Sequence, residues 1–455
     1  MTTSHTPLTA ADLRARLAPV YDSVLAELAE LVAIPSLAWA SSDPAQVQAS
    51  AEAVARFAGT RGFDSVEILR GRNTDGSEGY PAVVARRAAP EGRPTVLLYA
   101  HHDVQPTGDL ALWETDPFTA TKKGDRLYGR GVADDKAGVL IHLAALDVLA
   151  DDLNVGVVLF VEGEEEAGSP SFRDFLERYR DKLASDVIVV ADSANWAAGT
   201  PALTTSLRGM CAIEFSLTTL DHDVHSGVYG GLVPDAMMAM TRLLNTLWDE
   251  SGSVAVEGLV GVRESEVDYP EETVRKDSGV LPTTDLIGAG PISSRLWRQP
   301  SVTVIGLDNP PVAVSSNTLR ATMRAKLSVR IAPGDSVDNA IASVKRHLEA
   351  HVPFGAQLEF GEVEGGNAWL ADPEDPSVQI AQGALSEAFG TDSVFMGIGG
   401  SIPFIADLLE VFPGASILVT GPQDPDTRAH SANESLYLPD FEASIVAEAL
   451  MLDRL

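Results

Sequence analysis

The sequence contains one cysteine, Cys211, in 455 residues. An internal disulfide and a thiolate-rich metal site are therefore excluded, and the usage fits a reducing cytoplasm. Cys211 lies in the apolar run Met210-Cys211-Ala212-Ile213 and reads as a small core residue. Basic residues are scarce: 33 Lys and Arg stand against 65 Asp and Glu, a formal charge of −32. Such a surface repels phosphate backbones, so no nucleic-acid partner is expected. No uninterrupted apolar run reaches the roughly 18 residues of a membrane span. The opening MTTSHTPLTAADLRARL lacks a basic head followed by an apolar stretch, so neither a membrane association nor a signal peptide is expected. Repeats and low-complexity tracts are lacking too.

At roughly 150 residues per domain, the length allows two or three domains. Apolar residues at helical spacing predict one long helix from near Thr9 through Ile34. Strand-like runs follow at Val66–Leu69, Ala82–Ala85 and Val96–Tyr99. A helix from about Lys136 to Leu149 is apolar nearly all round and so reads as buried. Strands at Val155–Val161 and Val187–Ala191 complete an alternation that predicts an α/β domain with helices on both faces of a central sheet.

After Arg208 the texture changes. Cys211–Thr218 alternates like a half-exposed strand, and Pro234 suits the first turn of a helix over Asp235–Trp248. Strands are predicted at Val302–Ile305, Ala321–Ile331 and Leu358–Phe360, with a helix carrying Val337, Ile341, Val344 and Leu348 on one stripe. This βαββαβ order is that of an inserted ferredoxin-like α+β domain. The predicted division is 1–207 and 367–455 for the first domain, and 208–366 for the insert.

The chemistry gathers where strands end. The run Thr95-Val96-Leu97-Leu98 leads into YAHHDVQP. Strand side chains alternate, so His101 and Asp103 share a side and His102 faces away. A ligand histidine usually has a carboxylate or carbonyl fixing its other nitrogen, and Asp103 is placed to fix His101. Val155–Val161 ends in Glu162-Gly163-Glu164-Glu165-Glu166. Val187–Ala191 ends in Asp192, and Ser416–Thr420 runs into GPQDPDTRAH with His430. The stretch LYGRGVADD sets Asp134 and Asp135 before the buried helix. Singly, each has a bland reading: a strand-end histidine is more often structural, and acids before a helix cap it. Together they crowd the carboxyl ends of several strands, where open α/β sheets bind ligands. So many carboxylates at one edge call for a cation. Histidines and acids without thiols suit Zn, Mn or Co, and the ligands suffice for two ions sharing a carboxylate.

These motifs, with EGEEEAGS, VVADSANW, DVHSGVYGG, GGSIP and AHSANE, resemble those of the dinuclear zinc metallopeptidases of the carnosinase and cytosolic dipeptidase group. That group belongs to the acetylornithine deacetylase and glutamate carboxypeptidase superfamily. The resemblance spans nearly the whole chain. It implies His101, Asp134 and Asp192 on one ion, and Asp134, Glu166 and His430 on the other. Glu165 matches the general base towards the attacking water, and Asp103 the residue that orients His101. A cis peptide after Asp134 is implied as well. The insert resembles the lid and dimerisation domain, which implies a homodimer. There His225 matches a histidine that reaches the partner subunit's active site and stabilises the oxyanion, while Asn317, Arg330 and Ser401 match groups that hold the substrate. Two positions depart from the pattern. Gly397 and Ile398 stand where relatives commonly have an Arg-Glu pair, which bears on the substrate pocket. His102 replaces Leu or Tyr and receives no role.

The implied activity is hydrolysis of dipeptides, with two divalent ions, Zn foremost, as cofactors and a small peptide as substrate. The alternative is an N-acyl-amino-acid amidohydrolase on the same metals. In the superfamily the position of Asp192 is typically Asp in amino- and dipeptidases and Glu in deacylases. A metal-binding protein without catalysis would lack Glu165 or Asp103, and both are present. A two-metal phosphoesterase would want basic groups, which the acidic composition disfavours.

Overall fold

The computed structural model describes residues 7–400 and 403–455 apart from Glu266, without the side chains of Asp277 and Pro403. The chain forms two compact units. One comprises the chain up to Thr205 with Ala371–Met396 and Asp407–Leu455; the other comprises Ser206–Leu370 with Gly397–Ala406.

The first unit is built on a mixed sheet. Strand Ser65–Leu69 pairs antiparallel with Ala82–Arg87, which pairs antiparallel with Gly156–Glu162. From there Gly156–Glu162, Thr95–His101, Val187–Val190 and Ser416–Val419 run parallel side by side. Every residue of Gly156–Glu162 is buried, so both faces of this strand are covered. The helix Lys136–Leu149 is buried at all positions but one, as its apolar circumference demands, and packs against Thr95–His101 and the C-terminal helix Leu438–Arg454. Because the four central strands are parallel and adjacent, their carboxyl ends come out at one edge.

The N-terminal region departs from the single helix expected there. It forms two, Ala10–Leu17 and Tyr21–Val32. Pro19 falls between them; it has no N–H for a helical bond, and its ring excludes the carbonyl a turn below. Thr9 caps the first helix in a reciprocal arrangement with Asp12.

The second unit carries a four-stranded antiparallel sheet in the order Ser301–Leu307, Thr322–Ile331, Gly209–Thr218, Gln357–Gly366. Numbered along the chain this is 2-3-1-4, the split βαββαβ arrangement. Helices Ala236–Asn245 and Val337–Ala350 pack on it around a core that includes Cys211, Phe215, Met240, Leu327 and Val344. Pro234 lies outside the first of these helices, contrary to expectation. Asp235 is the cap and accepts from Met238 N, so the proline precedes the cap. The segment before Pro300 contributes helices Glu271–Ser278 and Ile292–Trp297.

One buried acid in the first unit makes stability depend on pH. Asp440, in the first turn of Leu438–Arg454, accepts from Gly199 N with both oxygens at 3.0 Å. Burial pushes its pKa up to about 6, against an ordinary 3.8. The folded state thus binds this proton more tightly than the unfolded state. The stabilisation is complete below about pH 4 and is lost as pH rises through 6. Asp440→Asn keeps an acceptor for Gly199 and removes the titration. In urea unfolding from pH 4 to 8, the variant is expected to gain on the wild type by roughly 2–3 kcal/mol across that interval.

Candidate metal centre

The carboxyl edge of the sheet brings together two groups of ligand-type side chains: His101, Asp134 and Asp192, and Asp134, Glu166 and His430. Within each group one donor atom from every residue lies within 4.8 Å of the others, and Asp134 belongs to both. The parallel strands account for much of this. His101 ends Thr95–His101 opposite Glu162, and Asp192 follows Val187–Val190. Glu165 and Glu166 open the short 3-10 turn Glu165–Ala167 beyond Gly156–Glu162. Asp134 precedes the buried helix, and the Asp134–Asp135 peptide is cis.

The histidine nitrogens address the shared aspartate from two sides. His101 Nε2 lies 3.4 Å from Asp134 Oδ1 and 3.8 Å from Asp192 Oδ2. His430 Nε2 lies 3.1 Å from Asp134 Oδ2 and 3.2 Å from Glu166 Oε2. His101 Nδ1 meets only acceptors, the Asp103 carbonyl at 3.2 Å and carboxylate at 3.3 Å, so it carries the proton. Asp103 also accepts from Glu165 N at 3.1 Å and Glu166 N at 3.0 Å. One carboxylate thus ties the strand of His101 to the turn of the two glutamates. His102 turns away, with Nε2 2.9 Å from Pro81 O.

The donor set fits divalent cations. His101 Nε2 is buried with no hydrogen-bond partner, and a neutral ring would aim its lone pair at two carboxylates. Electrostatics agree. Burial, with Asp134 and Glu166 adding to it and His101 opposing, pushes Asp192 up to about 7. Burial, reinforced by Asp192, Glu162 and Asp103 against His101, pushes Glu165 up to about 9. Burial works in the same sense on Asp134, but hydrogen bonds from His101 and His430 hold it low. Hydrogen bonds to Asp134 and Glu166 raise His430 to about 10. Carboxylates that burial drives towards protonation beside histidines that neighbouring acids drive towards charge are what a cluster short of cations shows; divalent ions reverse both trends.

Of the remaining expected residues, His225, Asn317 and Arg330 lie in the second unit. Strands Val224–His225 and Thr318–Leu319 form a two-residue ribbon in which His225 faces Thr318, and Ser226 N donates to Asn317 O at 2.9 Å. His225 and Asn317 are thereby neighbours, both exposed. His225 Nδ1 accepts from Gly227 N, which leaves Nε2 to carry the proton of a neutral ring. Arg330 is half-buried at the end of Thr322–Ile331. Ser401 lies outside the described residues. Gly397 is explained by its surroundings, since an added Cβ would meet Ser206 Oγ and Trp297 Cβ at 2.7 Å. Near Arg330, Arg208 Nε donates to Gly399 O at 2.8 Å; burial and Arg330 lower its pKa to about 10. Nothing in its local pattern separates it from a solvated arginine.

A shared aspartate between two histidine–carboxylate groups at the carboxyl edge of an α/β sheet defines a dinuclear metal hydrolase. The chain belongs to peptidase family M20/M25/M40, which it matches over residues 97–454. It is 34% identical over 366 residues to a cysteinylglycine-S-conjugate dipeptidase of Corynebacterium striatum, covering 79% of this chain and 80% of that one. It is 29% identical over 379 residues to the human Beta-Ala-His dipeptidase, covering 78% and 74%. The solved structure of human carnosine dipeptidase 1 superposes with a TM-score of 0.71 at 26% identity, covering 99% of each chain. Among the described residues no helix is long and apolar enough to cross a membrane.

Proposed function

We propose that this protein is a dipeptidase that hydrolyses the peptide bond of free dipeptides at two divalent ions, Zn foremost and Mn or Co as alternatives. The observation that carries this reading is the pair of three-residue groups sharing Asp134. His101, Asp134 and Asp192 would hold one ion, and Asp134, Glu166 and His430 the other. When bound, the ions supply Lewis acidity towards the substrate carbonyl and towards water. Asp103 keeps His101 in the Nδ1–H tautomer, so that Nε2 is the ligand atom. Glu165 belongs to neither ligand group, which leaves its carboxylate for proton transfer. It takes the proton of the attacking water and returns it to the leaving amine. His225, with its Nε2–H, stabilises the oxyanion, and Asn317, Arg330 and Ser401 hold the substrate. In this reading 1–207 and 367–455 form the catalytic domain and 208–366 the lid and dimerisation domain of a cytoplasmic homodimer. The acidic charge fits a protein without a nucleic-acid partner.

Asp192 in the terminal ligand position and relatives described as dipeptidases support free dipeptides over acylated amino acids. The test is a comparison of kcat/KM on Cys-Gly, a Cys-Gly S-conjugate and β-Ala-His against N-acetyl amino acids, with Zn or Mn supplied. Turnover of the dipeptides at least about tenfold above the acyl substrates is expected. Turnover of acyl substrates alone would make the protein an amidohydrolase.

A further inference from the structure

Two charged residues inside the motifs LYGRGVADD and AHSANE belong to neither ligand group: Arg130 and Glu434. Both side chains are essentially buried, 1% and 0% exposed. Arg130 Nη1 donates to Glu434 Oε2 at 2.7 Å, and Gly131 N donates to the same oxygen at 3.0 Å. Glu434 Oε1 accepts from Ala133 N at 3.0 Å and Asp134 N at 3.2 Å. All four partners are donors. Both carboxylate oxygens are therefore satisfied as acceptors, each by two donors.

This one carboxylate gathers the backbone that leads into the shared aspartate. Gly131 adopts φ 76°, a conformation glycine reaches without steric cost, and its amide thereby joins those of Ala133 and Asp134 on a single group. The main chain of Glu434 closes the link from the other side, its carbonyl accepting from Gly129 N at 3.1 Å. Arg130 continues the link through Nη2, which donates to Ser431 O at 3.1 Å and Pro106 O at 3.3 Å. Ser431 follows His430, and Pro106 belongs to the motif of His101. The His430 loop needs such support. Arg428, His430 and Asn433 have φ of 57°, 62° and 65°, a region that side-chain-bearing residues avoid.

We propose that Glu434, acting with Arg130, is a positioning residue of the dinuclear centre: it fixes the backbone of Asp134 against the loop that presents His430, and so sets how tightly the ions are held. The proposal rests on the reading of the two groups as a metal centre. It also predicts an asymmetry. His101 has its own strand and Asp103 to hold it besides the contact at Pro106, whereas His430 reaches its place through the loop that Arg130 anchors. The ion between Asp134, Glu166 and His430 therefore loosens more than its neighbour.

The test follows release of Zn from the loaded protein into excess chelator, at a temperature where each variant is folded by circular dichroism. Absorption of the Co-substituted protein is the second readout. Wild type is expected to carry two ions. In Glu434→Gln one ion leaves about 10–100-fold faster, the other changes less, and the Co spectrum shifts. Arg130→Lys, which retains the charge and loses the fork, shows the same pattern more weakly and decides the matter if Glu434→Gln does not fold. Wild-type release of both ions with an unchanged Co spectrum, even beside a lowered Tm, would reduce Glu434 to a stabilising role and overturn the proposal. A wild type that binds no ions would instead overturn the metal centre itself.

Discussion

Glu165→Gln lowers kcat on a dipeptide by about 10²–10⁴-fold while two ions remain bound and KM changes little. Glu165 belongs to neither ligand group, so its side chain is not needed to retain metal. Its backbone N–H, which donates to Asp103, survives the substitution. What Gln cannot do is accept a proton. A loss confined to kcat therefore isolates proton transfer from binding and from the integrity of the centre. Steady-state kinetics beside metal analysis of the same sample checks it. Unchanged kcat in a variant that retains its ions would remove Glu165 from the reaction.

Asp134→Asn is expected to do more damage by another route. Asp134 is the residue common to both groups and lies between the two histidines, 3.4 Å from His101 Nε2 and 3.1 Å from His430 Nε2. An amide leaves one neutral oxygen where a carboxylate served two sides. Affinity at both positions is expected to fall by more than about 100-fold, beyond the usual effect of an outer-sphere change. Activity vanishes with it. Since ligands that bind only the folded state stabilise it, added Zn should raise the Tm of the wild type and barely move that of the variant. Calorimetric titration and thermal scans with and without Zn give the answer. His430→Ala, by contrast, is expected to lose one ion and keep the other.

The parts of this architecture legible in the sequence are those whose pattern repeats. The helix Lys136–Leu149 was readable because apolar residues run round its circumference. The parallel strands announce themselves as β-branched runs that stop at an acid or histidine, and their adjacency makes the endings one site. The break at Pro19 turned on one residue within a helical pattern, and periodicity averages over such a residue. The ribbon of His225 was not readable because each strand is two residues long, too short for any alternation. Arg130 and Glu434 sit in the quoted motifs, yet their pairing spans 304 residues. The signal available was a lone charge among glycines and apolar neighbours, as in Tyr128-Gly129-Arg130-Gly131-Val132. Such a charge either faces water or must find a buried partner.

The central claim is that two ions held around Asp134 make this chain a dipeptidase. Its most direct test is to strip the protein of metal, add Zn stepwise, and follow hydrolysis of a free dipeptide beside the number of ions bound per chain. No turnover is expected without metal, then a rise on loading that levels off at two ions per chain, and no comparable rise in Glu165→Gln. Equal hydrolysis in the metal-free protein, or none on any free dipeptide with two ions bound, would contradict it.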